Sequence, residues 1–130
     1  MRPGILLIWP MTRYAERTAI VFGRDRLTYA EMDAHINRLA HGLLSLGLKT
    51  GHKVAALLKN GIESAAAIIG IPRAGLTYVT LNVRNSPGEH VEILNDSETD
   101  ALILGEEFID SMNPVLASAP TLKHVIVVGR

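Results

Sequence analysis

Cysteine is absent from this sequence of 130 residues, which excludes disulfide bonds, thiolate catalysis and zinc–thiolate sites. Aromatic residues make up only 5% of the chain, and its 13 basic residues balance its 13 acidic ones. Basic residues never form a run longer than two. The sequence therefore carries no electrostatic footprint for nucleic acid or for an anionic membrane.

Long apolar runs are also missing. The apolar run near the N-terminus spans only residues 5–9. A signal peptide needs about 7–15 apolar residues and a membrane helix roughly 20. We therefore expect no targeting or transmembrane segment, and we expect the first ten residues to lie against the body of the protein. Together with the lack of cysteine, this fits a cytoplasmic protein.

Four short apolar runs are the main feature that is present. They cover residues 53–58, 77–81, 101–105 and 124–129, and helix-like segments separate them. Runs of this length between turn residues are typical of strands buried on both faces. The order predicts an α/β fold with a mostly parallel sheet of about four core strands and flanking helices. A small antiparallel hairpin, with its turn at residues 23–26, is expected before it.

Helix boundaries are marked by capping sequences. Thr28 with Glu31 and Ser86 with Glu89 each match the capping box, and Asn60 is a candidate N-cap for a third helix. The first helix is expected to run to about Leu46 and to bury one stripe. The residues of that stripe are Met32, Ile36, Leu39, Ala40, Leu43, Leu44 and Leu46.

Two prolines interrupt helical patterns. Pro72 removes a backbone hydrogen bond at a cost of about 3 kcal/mol in a helix interior, so we expect a kink or an end near residues 70–71. Pro114 is expected to break or restart the last helix. The acidic residues Asp96, Glu98 and Asp100 cluster at the C-terminal end, near Ser97, of the helix that begins at Ser86. The helix dipole disfavours them there, and we expect them in solvent.

Ligands of open α/β sheets bind beyond the carboxyl ends of the strands. Neither the glycine-rich dinucleotide fingerprint nor a Walker phosphate loop occurs there. Asn82 and Arg84 form the one polar pair that resembles a substrate-binding site, because Arg84 could clamp a carboxylate or phosphate. The alternative interpretation is structural: Asn82 holds a turn and Arg84 pairs with a neighbouring acid.

Histidines and carboxylates give no catalytic constellation. His35 and His41 lack the spacing of four that a helical metal site needs, and single surface or strand-end histidines explain all five in the chain. Glu89 and Glu92 share a helix face and are expected to be solvated. We therefore expect no metal site and assign no catalytic residue.

Several segments together resemble a known family. They are residues 28–33 (TYAEMD), 37–40 (NRLA), 46–51 (LGLKTG), 53–55 (KVA), 60 (N), 74–79 (AGLTYV) and 81–82 (LN). Their order and spacing are similar to the N-terminal part of the AMP-forming adenylating enzymes, and most similar to fatty-acyl-CoA ligases, over about residues 17–130. The chain departs from the family pattern at His52, Pro72 and Thr80.

The resemblance implies a parent enzyme that uses ATP and magnesium to convert a carboxylic acid to an acyl-adenylate, and then transfers the acyl group to CoA. It also implies a Ser/Thr/Gly-rich phosphate loop ending in Pro-Lys-Gly and a C-terminal lysine. Neither lies in this sequence. We therefore expect residues 1–130 to be a single domain, corresponding to an N-terminal subdomain of such a ligase, inactive alone and binding none of these cofactors itself.

Two other functions fit the sequence. The chain could be a non-catalytic module that dimerises or binds a partner, such as the remainder of a parent enzyme, through an exposed sheet edge or apolar surface. It could also be a nucleotide-binding domain of the flavodoxin-like type. Light scattering tests the first alternative, and calorimetric titration with ATP, AMP and CoA tests the second.

Overall fold

The computed structural model of the chain describes residues 18–22 and 25–129. The expected N-terminal segment and the first two residues of the hairpin turn lie outside them. The strands are β1 (Thr18–Phe22), β2 (Asp25–Thr28), β3 (Lys53–Leu57), β4 (Thr77–Thr80), β5 (Ala101–Gly105) and β6 (His124–Val128). The helices are α1 (Tyr29–Ser45), α2 (Ile62–Arg73), α3 (Pro87–Ser97) and α4 (Ile109–Leu116), with a 3-10 turn (Glu106–Phe108) before α4.

The chain forms two compact units that interlace in sequence. Of the described residues, one unit comprises 18–22, 25–50 and 60–76, and the other 51–59 and 77–129. In the described part of the first unit, β1 and β2 pair antiparallel as the predicted hairpin, and α1 packs against α2. Its core is formed by buried Met32, Ile36 and Ala66, with Leu39 and Ile69 packed around them.

The second unit is built on the predicted parallel sheet, with strand order β4-β3-β5-β6. Side chains from one face of β3 and β5 pack with residues of α3 and α4 to form its core. The α/β fold class, the four parallel strands and the preceding hairpin are therefore confirmed. No helix in the described part of the chain combines the length and apolar character needed to cross a membrane.

Burial separates the inner strands from the outer ones. All of β5 and nearly all of β3 are buried, whereas β4 and β6 keep exposed residues along their length. The expectation that all four runs are buried on both faces is therefore wrong for the two outer strands. The physical reason is their position, since an edge strand has a neighbour on one side only.

The two predicted capping boxes are confirmed. In α1 the Glu31 amide donates to the Thr28 hydroxyl at 3.1 Å, and the Thr28 amide donates to the Glu31 carboxylate at 3.0 Å. In α3 the corresponding distances between Ser86 and Glu89 are 3.2 and 3.1 Å. Asn60 is not a cap, because α2 begins after Gly61 without a side-chain cap.

The apolar stripe of α1 is correct in its first three turns and wrong at its end. Met32, Ile36, Ala40 and Leu43 are buried, but Leu44 and Leu46 are exposed. The helix ends at Ser45, so Leu46 no longer follows its periodicity. Gly47, directly after this end, adopts the left-handed conformation with φ +89°, and Leu48 beyond it is buried.

The helix end predicted near residues 70–71 lies two to three residues later, and the break predicted at Pro114 is wrong. Pro72 lies in the last turn of α2, which ends at Arg73, and Pro114 lies inside α4. Because proline has no amide hydrogen, Pro72 cannot donate the helical hydrogen bond to the carbonyl of Ile68. Ile68 is exposed. The end of α2 is then stabilised by two further bonds, from Gly75 N to Pro72 O (2.9 Å) and from Leu76 N to Ile71 O (3.1 Å). This Schellman motif sets the helix end three residues before Leu76.

Candidate functional site

The carboxyl ends of the four parallel strands lie at one edge of the second unit, where open α/β sheets bind ligands. The loop that follows β4 contains Asn82 and Arg84. Both side chains are exposed. The carboxylates of Glu106 and Glu107 follow β5 and are exposed as well. Lys59, two residues beyond β3, adds an exposed cation.

Asn82 shapes its own loop. Its side-chain oxygen accepts a hydrogen bond from the Arg84 amide at 2.9 Å, and its carbonyl accepts one from the Asn85 amide at 3.0 Å. An Asn side chain that bonds the backbone two residues on forms an Asx turn. Asn82 therefore holds the turn, as the structural interpretation expects.

Arg84 has no ion pair within the described part of the chain, so the acid partner expected by that interpretation is not observed there. An exposed guanidinium can bind a carboxylate or phosphate in bidentate geometry. Substrate binding by Asn82 or Arg84 stays a prediction.

His90 lies in the first turn of α3, directly after this loop, and only 2% of it is exposed. Its Nδ1 atom is buried and has no hydrogen-bond partner among the described residues. Burial lowers the pKa of His90, and the nearby Glu89 carboxylate partly offsets this. The Glu89 pKa is itself lowered, chiefly by hydrogen bonds from the Ser86 amide and hydroxyl.

The expectation that all five histidines are surface or strand-end residues is therefore wrong for His90. His90 lies four residues before the buried Leu94, so both side chains share the inner face of α3. This helical spacing could have indicated from the sequence that His90 is buried. In the first unit, His35 does have a hydrogen-bond partner, because its Nε2 atom lies 2.9 Å from Glu63 Oε1.

A polar cluster of the second unit lies at the other edge of the sheet, at the amino ends of the strands. The Lys53 amide donates to the Asp100 carboxylate at 2.8 Å, and Lys53 Nζ donates to the Ser97 carbonyl at 2.7 Å. The Asp100 carbonyl accepts from the Lys123 amide at 2.8 Å. Asp100 is therefore half-buried and joins three strands, so the expectation that it stays in solvent is wrong.

This cluster is structural, because its groups satisfy one another at the amino ends of the strands. Glu98, from the same acidic segment, is exposed as expected but adopts φ 54°. Within the described residues, no three or more His, Asp or Glu side chains come together in a way that could hold a metal ion.

Residues 8–130 match the family of AMP-binding enzymes. The chain belongs to the AMP-binding enzyme family. Over 113 residues, which are 87% of this chain and 20% of the relative, it is 34% identical to a medium/long-chain-fatty-acid–CoA/3-oxocholest-4-en-26-oate–CoA ligase of Mycobacterium marinum. A 2-succinylbenzoate–CoA ligase of Bacillus cereus is 32% identical over 82% of this chain and 22% of its own length.

Solved structures of AMP-binding enzymes share the fold. A fatty acyl CoA synthetase of Mycobacterium tuberculosis superimposes with a TM-score of 0.90 at 29% identity, covering 96% of this chain and 26% of that protein. An anthranilate CoA ligase bound to anthranoyl-AMP gives 0.93 at 24% identity, covering 98% and 25%, and supports the fold alone. The chain thus spans about a fifth of the length of the curated CoA ligases it matches.

Proposed function

We propose that this chain is the N-terminal subdomain, residues 1–130, of an ATP-dependent, AMP-forming fatty-acid–CoA ligase. The observation that carries the proposal is the family match over residues 8–130, together with 34% identity to a fatty-acid–CoA ligase over 87% of the chain. The whole enzyme would use ATP, Mg²⁺ and CoA to form an acyl-adenylate and then an acyl-CoA. Its location is proposed to be cytoplasmic.

The chain alone is proposed to be inactive. Adenylation requires groups that cradle a triphosphate and stabilise the charge of the leaving pyrophosphate. At the carboxyl edge of the sheet, the described residues offer the exposed Arg84 and Lys59 beside two carboxylates, Glu106 and Glu107. Exposed cations interact weakly with anions because water screens them. These four side chains are exposed, and two of them carry the same charge sign as ATP. We therefore expect them to bind ATP too weakly for adenylation.

ATP–pyrophosphate exchange in the presence of fatty acids tests this proposal on the purified 130-residue chain. We expect no exchange above the rate without protein. The Mycobacterium marinum ligase serves as the positive control for the assay. Clear exchange by the 130-residue chain would refute the proposed inactivity.

A contribution of Asn82 and Arg84 to substrate binding is proposed at the same edge. The support is the exposed side chain of Arg84, whose backbone amide is held after β4 by the Asx turn of Asn82. NMR titration with a short-chain fatty acid, whose carboxylate a guanidinium can bind, should show weak binding that Arg84→Ala reduces and Lys59→Ala leaves unchanged. Equal binding by the wild type and Arg84→Ala would remove Arg84 from the site.

We also propose a second, non-catalytic function, which is association with a partner through the open sheet. The specific observation in its favour is β6, an outer strand whose valines Val125 and Val127 are 42% and 50% exposed. Exposed apolar edge strands tend to pair with other chains. Analytical ultracentrifugation tests association independently of any enzymatic activity.

A further inference from the structure

We propose that residues 82–90 form a flap that opens at acid pH, because protonation of His90 releases the one buried side chain that holds the segment in place. The flap comprises the loop after β4 and the first turn of α3. Its opening is local, so that the sheet and the remainder of α3 stay folded.

The first argument is burial. Of the nine residues in the flap, only His90 is buried; Asn85 and Pro87 are partly exposed, and the other six are exposed. The residues on either side of the flap, Leu81 and Val91, are both buried. A segment with one buried side chain has few contacts to lose, so it opens at a lower free energy than the whole domain unfolds. Closure of the flap therefore depends on His90.

The second argument is that the hydrogen bonds of the flap are local. The Asx turn of Asn82 and the capping box of Ser86 both join residues within it. The His90 amide donates to the Ser86 carbonyl at 3.0 Å. Within the described part of the chain, no side-chain hydrogen bond or ion pair joins the flap to another element. These bonds therefore shape the flap without fastening it to the sheet.

The third argument is the environment of the imidazole, which suits only its neutral form. The Nδ1 atom of His90 is closed off from water and has no hydrogen-bond partner among the described residues. A partner from elsewhere could reach this atom only if the flap moved. The imidazolium would bury a positive charge and an Nδ1 proton without an acceptor, and both are strongly disfavoured. Opening of the flap lets water solvate the cation.

The direction of the pH dependence follows from the pKa of His90. Burial lowers this pKa in the closed flap, and the Glu89 carboxylate of the same helix partly offsets the effect; among the described residues, no charged group of the sheet or of α4 contributes. In the open flap the imidazole regains its ordinary pKa of about 6.5. The closed flap is therefore favoured above about pH 6.5. Below it, the ratio of open to closed flap rises by up to about tenfold per pH unit until the lowered pKa is reached.

The capping box does not cause this pH dependence. The pKa of Glu89 is lowered, chiefly by its hydrogen bonds with Ser86, so its carboxylate stays ionised while His90 titrates. Opening of the flap would also displace Arg84, and that consequence for substrate binding rests on the proposed function. The flap itself is tested without a ligand, so the two proposals can fail separately.

Amide hydrogen exchange of the full chain, followed by NMR at about pH 7.5 and about pH 5.5, tests the flap. After correction for the intrinsic pH dependence of exchange, the Glu89 and His90 amides should lose about three- to tenfold in protection at the lower pH. Amides of β3 and β5 should keep their protection. Unchanged protection in the flap, or an equal loss in the sheet, would overturn the proposal.

His90→Leu identifies the group responsible, because leucine is apolar and does not titrate. The flap amides of this variant should be equally protected at both pH values. His41→Gln is the control, since His41 is exposed on α1, and it should keep the wild-type response. A pH response that persists in His90→Leu would assign the opening to another group. If this variant does not fold, the NMR titration of the wild-type imidazole decides: its midpoint must coincide with the loss of flap protection, and separate midpoints would refute the proposal.

Discussion

Among single residues, Glu98 is the one non-glycine side chain of the described part of the chain with positive φ, at 54°. A β-carbon in this left-handed region costs about 1 kcal/mol or more relative to glycine. Its carboxylate also lies at the C-terminal end of α3, where the helix dipole disfavours negative charge. Both effects indicate that the Glu98 side chain lowers the stability of the folded chain.

We therefore predict that Glu98→Gly raises the free energy of unfolding by roughly 1 kcal/mol. Glu92→Gly is the matched control, since it removes the same exposed side chain from the interior of the same helix. It should lower the free energy by about 1 kcal/mol. Urea titration measures both, and destabilisation by Glu98→Gly would show that Glu98 has an unrecognised stabilising contact.

His90 makes stability depend on pH. Its pKa in the folded chain is lowered by burial, so the unfolded chain binds a proton at higher pH than the folded one does. Stability from the neutral imidazole is fully present above the unfolded pKa of about 6.5 and is lost as pH falls from there through the folded pKa. We predict that His90→Leu flattens the slope of unfolding free energy between about pH 7 and 5.

His41→Gln provides the comparison, because His41 is exposed on α1. Its pH profile should follow the wild type. His90→Leu also removes a buried nitrogen that finds no hydrogen-bond partner in the part of the chain that the structure describes, a feature that costs about 1–3 kcal/mol. The variant should therefore be at least as stable as the wild type at pH 8. An unchanged slope in His90→Leu would assign the pH dependence to other groups.

At the scale of elements, α3 begins with a complete cap. The Ser86 hydroxyl accepts from the Glu89 amide, and the Glu89 carboxylate accepts from the Ser86 amide. We predict that Ser86→Ala lowers the free energy of unfolding by about 1 kcal/mol. Ser111→Ala removes a hydroxyl from the exposed side of α4, where it only donates to the Phe108 carbonyl, and should cost less than about 0.5 kcal/mol. Equal losses in thermal denaturation would mean that the cap adds nothing specific.

Local patterns decided which elements could be predicted from the sequence. The capping boxes involve partners three residues apart, and the positive φ of Gly47 and Gly75 follows from the helix ends that precede them. The prediction for Pro114 was wrong because the cost of a helical proline depends on its position and on the solvent access of the carbonyl it leaves unbonded. That access depends on tertiary packing.

For the candidate site, too, contacts between residues close in sequence could be predicted and contacts between distant residues could not. The turn-forming role of Asn82 is local, and the sequence offered it as an alternative. The burial of His90 and the contacts of Asp100 were not predicted, because they depend on residues distant in sequence. Asp100 lies 47 positions from Lys53, whose amide it binds. A pattern of charge and spacing along one helix contains no information on such a partner.

At the scale of the whole molecule, the interlaced units determine what can fold alone. The second unit takes its central strand from residues 51–59, which are separated in sequence from residues 77–130 by α2. In the sheet order β4-β3-β5-β6, β3 is the neighbour of both β4 and β5. Its residues Val54, Ala55 and Leu57 are almost completely buried.

We predict that the fragment of residues 77–130 is unfolded. Without β3, β4 has no pairing partner, and β5 has only the partner β6. A two-stranded parallel remnant with one exposed face is below the size that is stable in water. Far-UV circular dichroism and proton NMR of the fragment should show a disordered chain, while the intact chain melts cooperatively. A cooperative melt of the fragment would mean that β5, β6, α3 and α4 form a self-sufficient core, and that β3 is an addition to it.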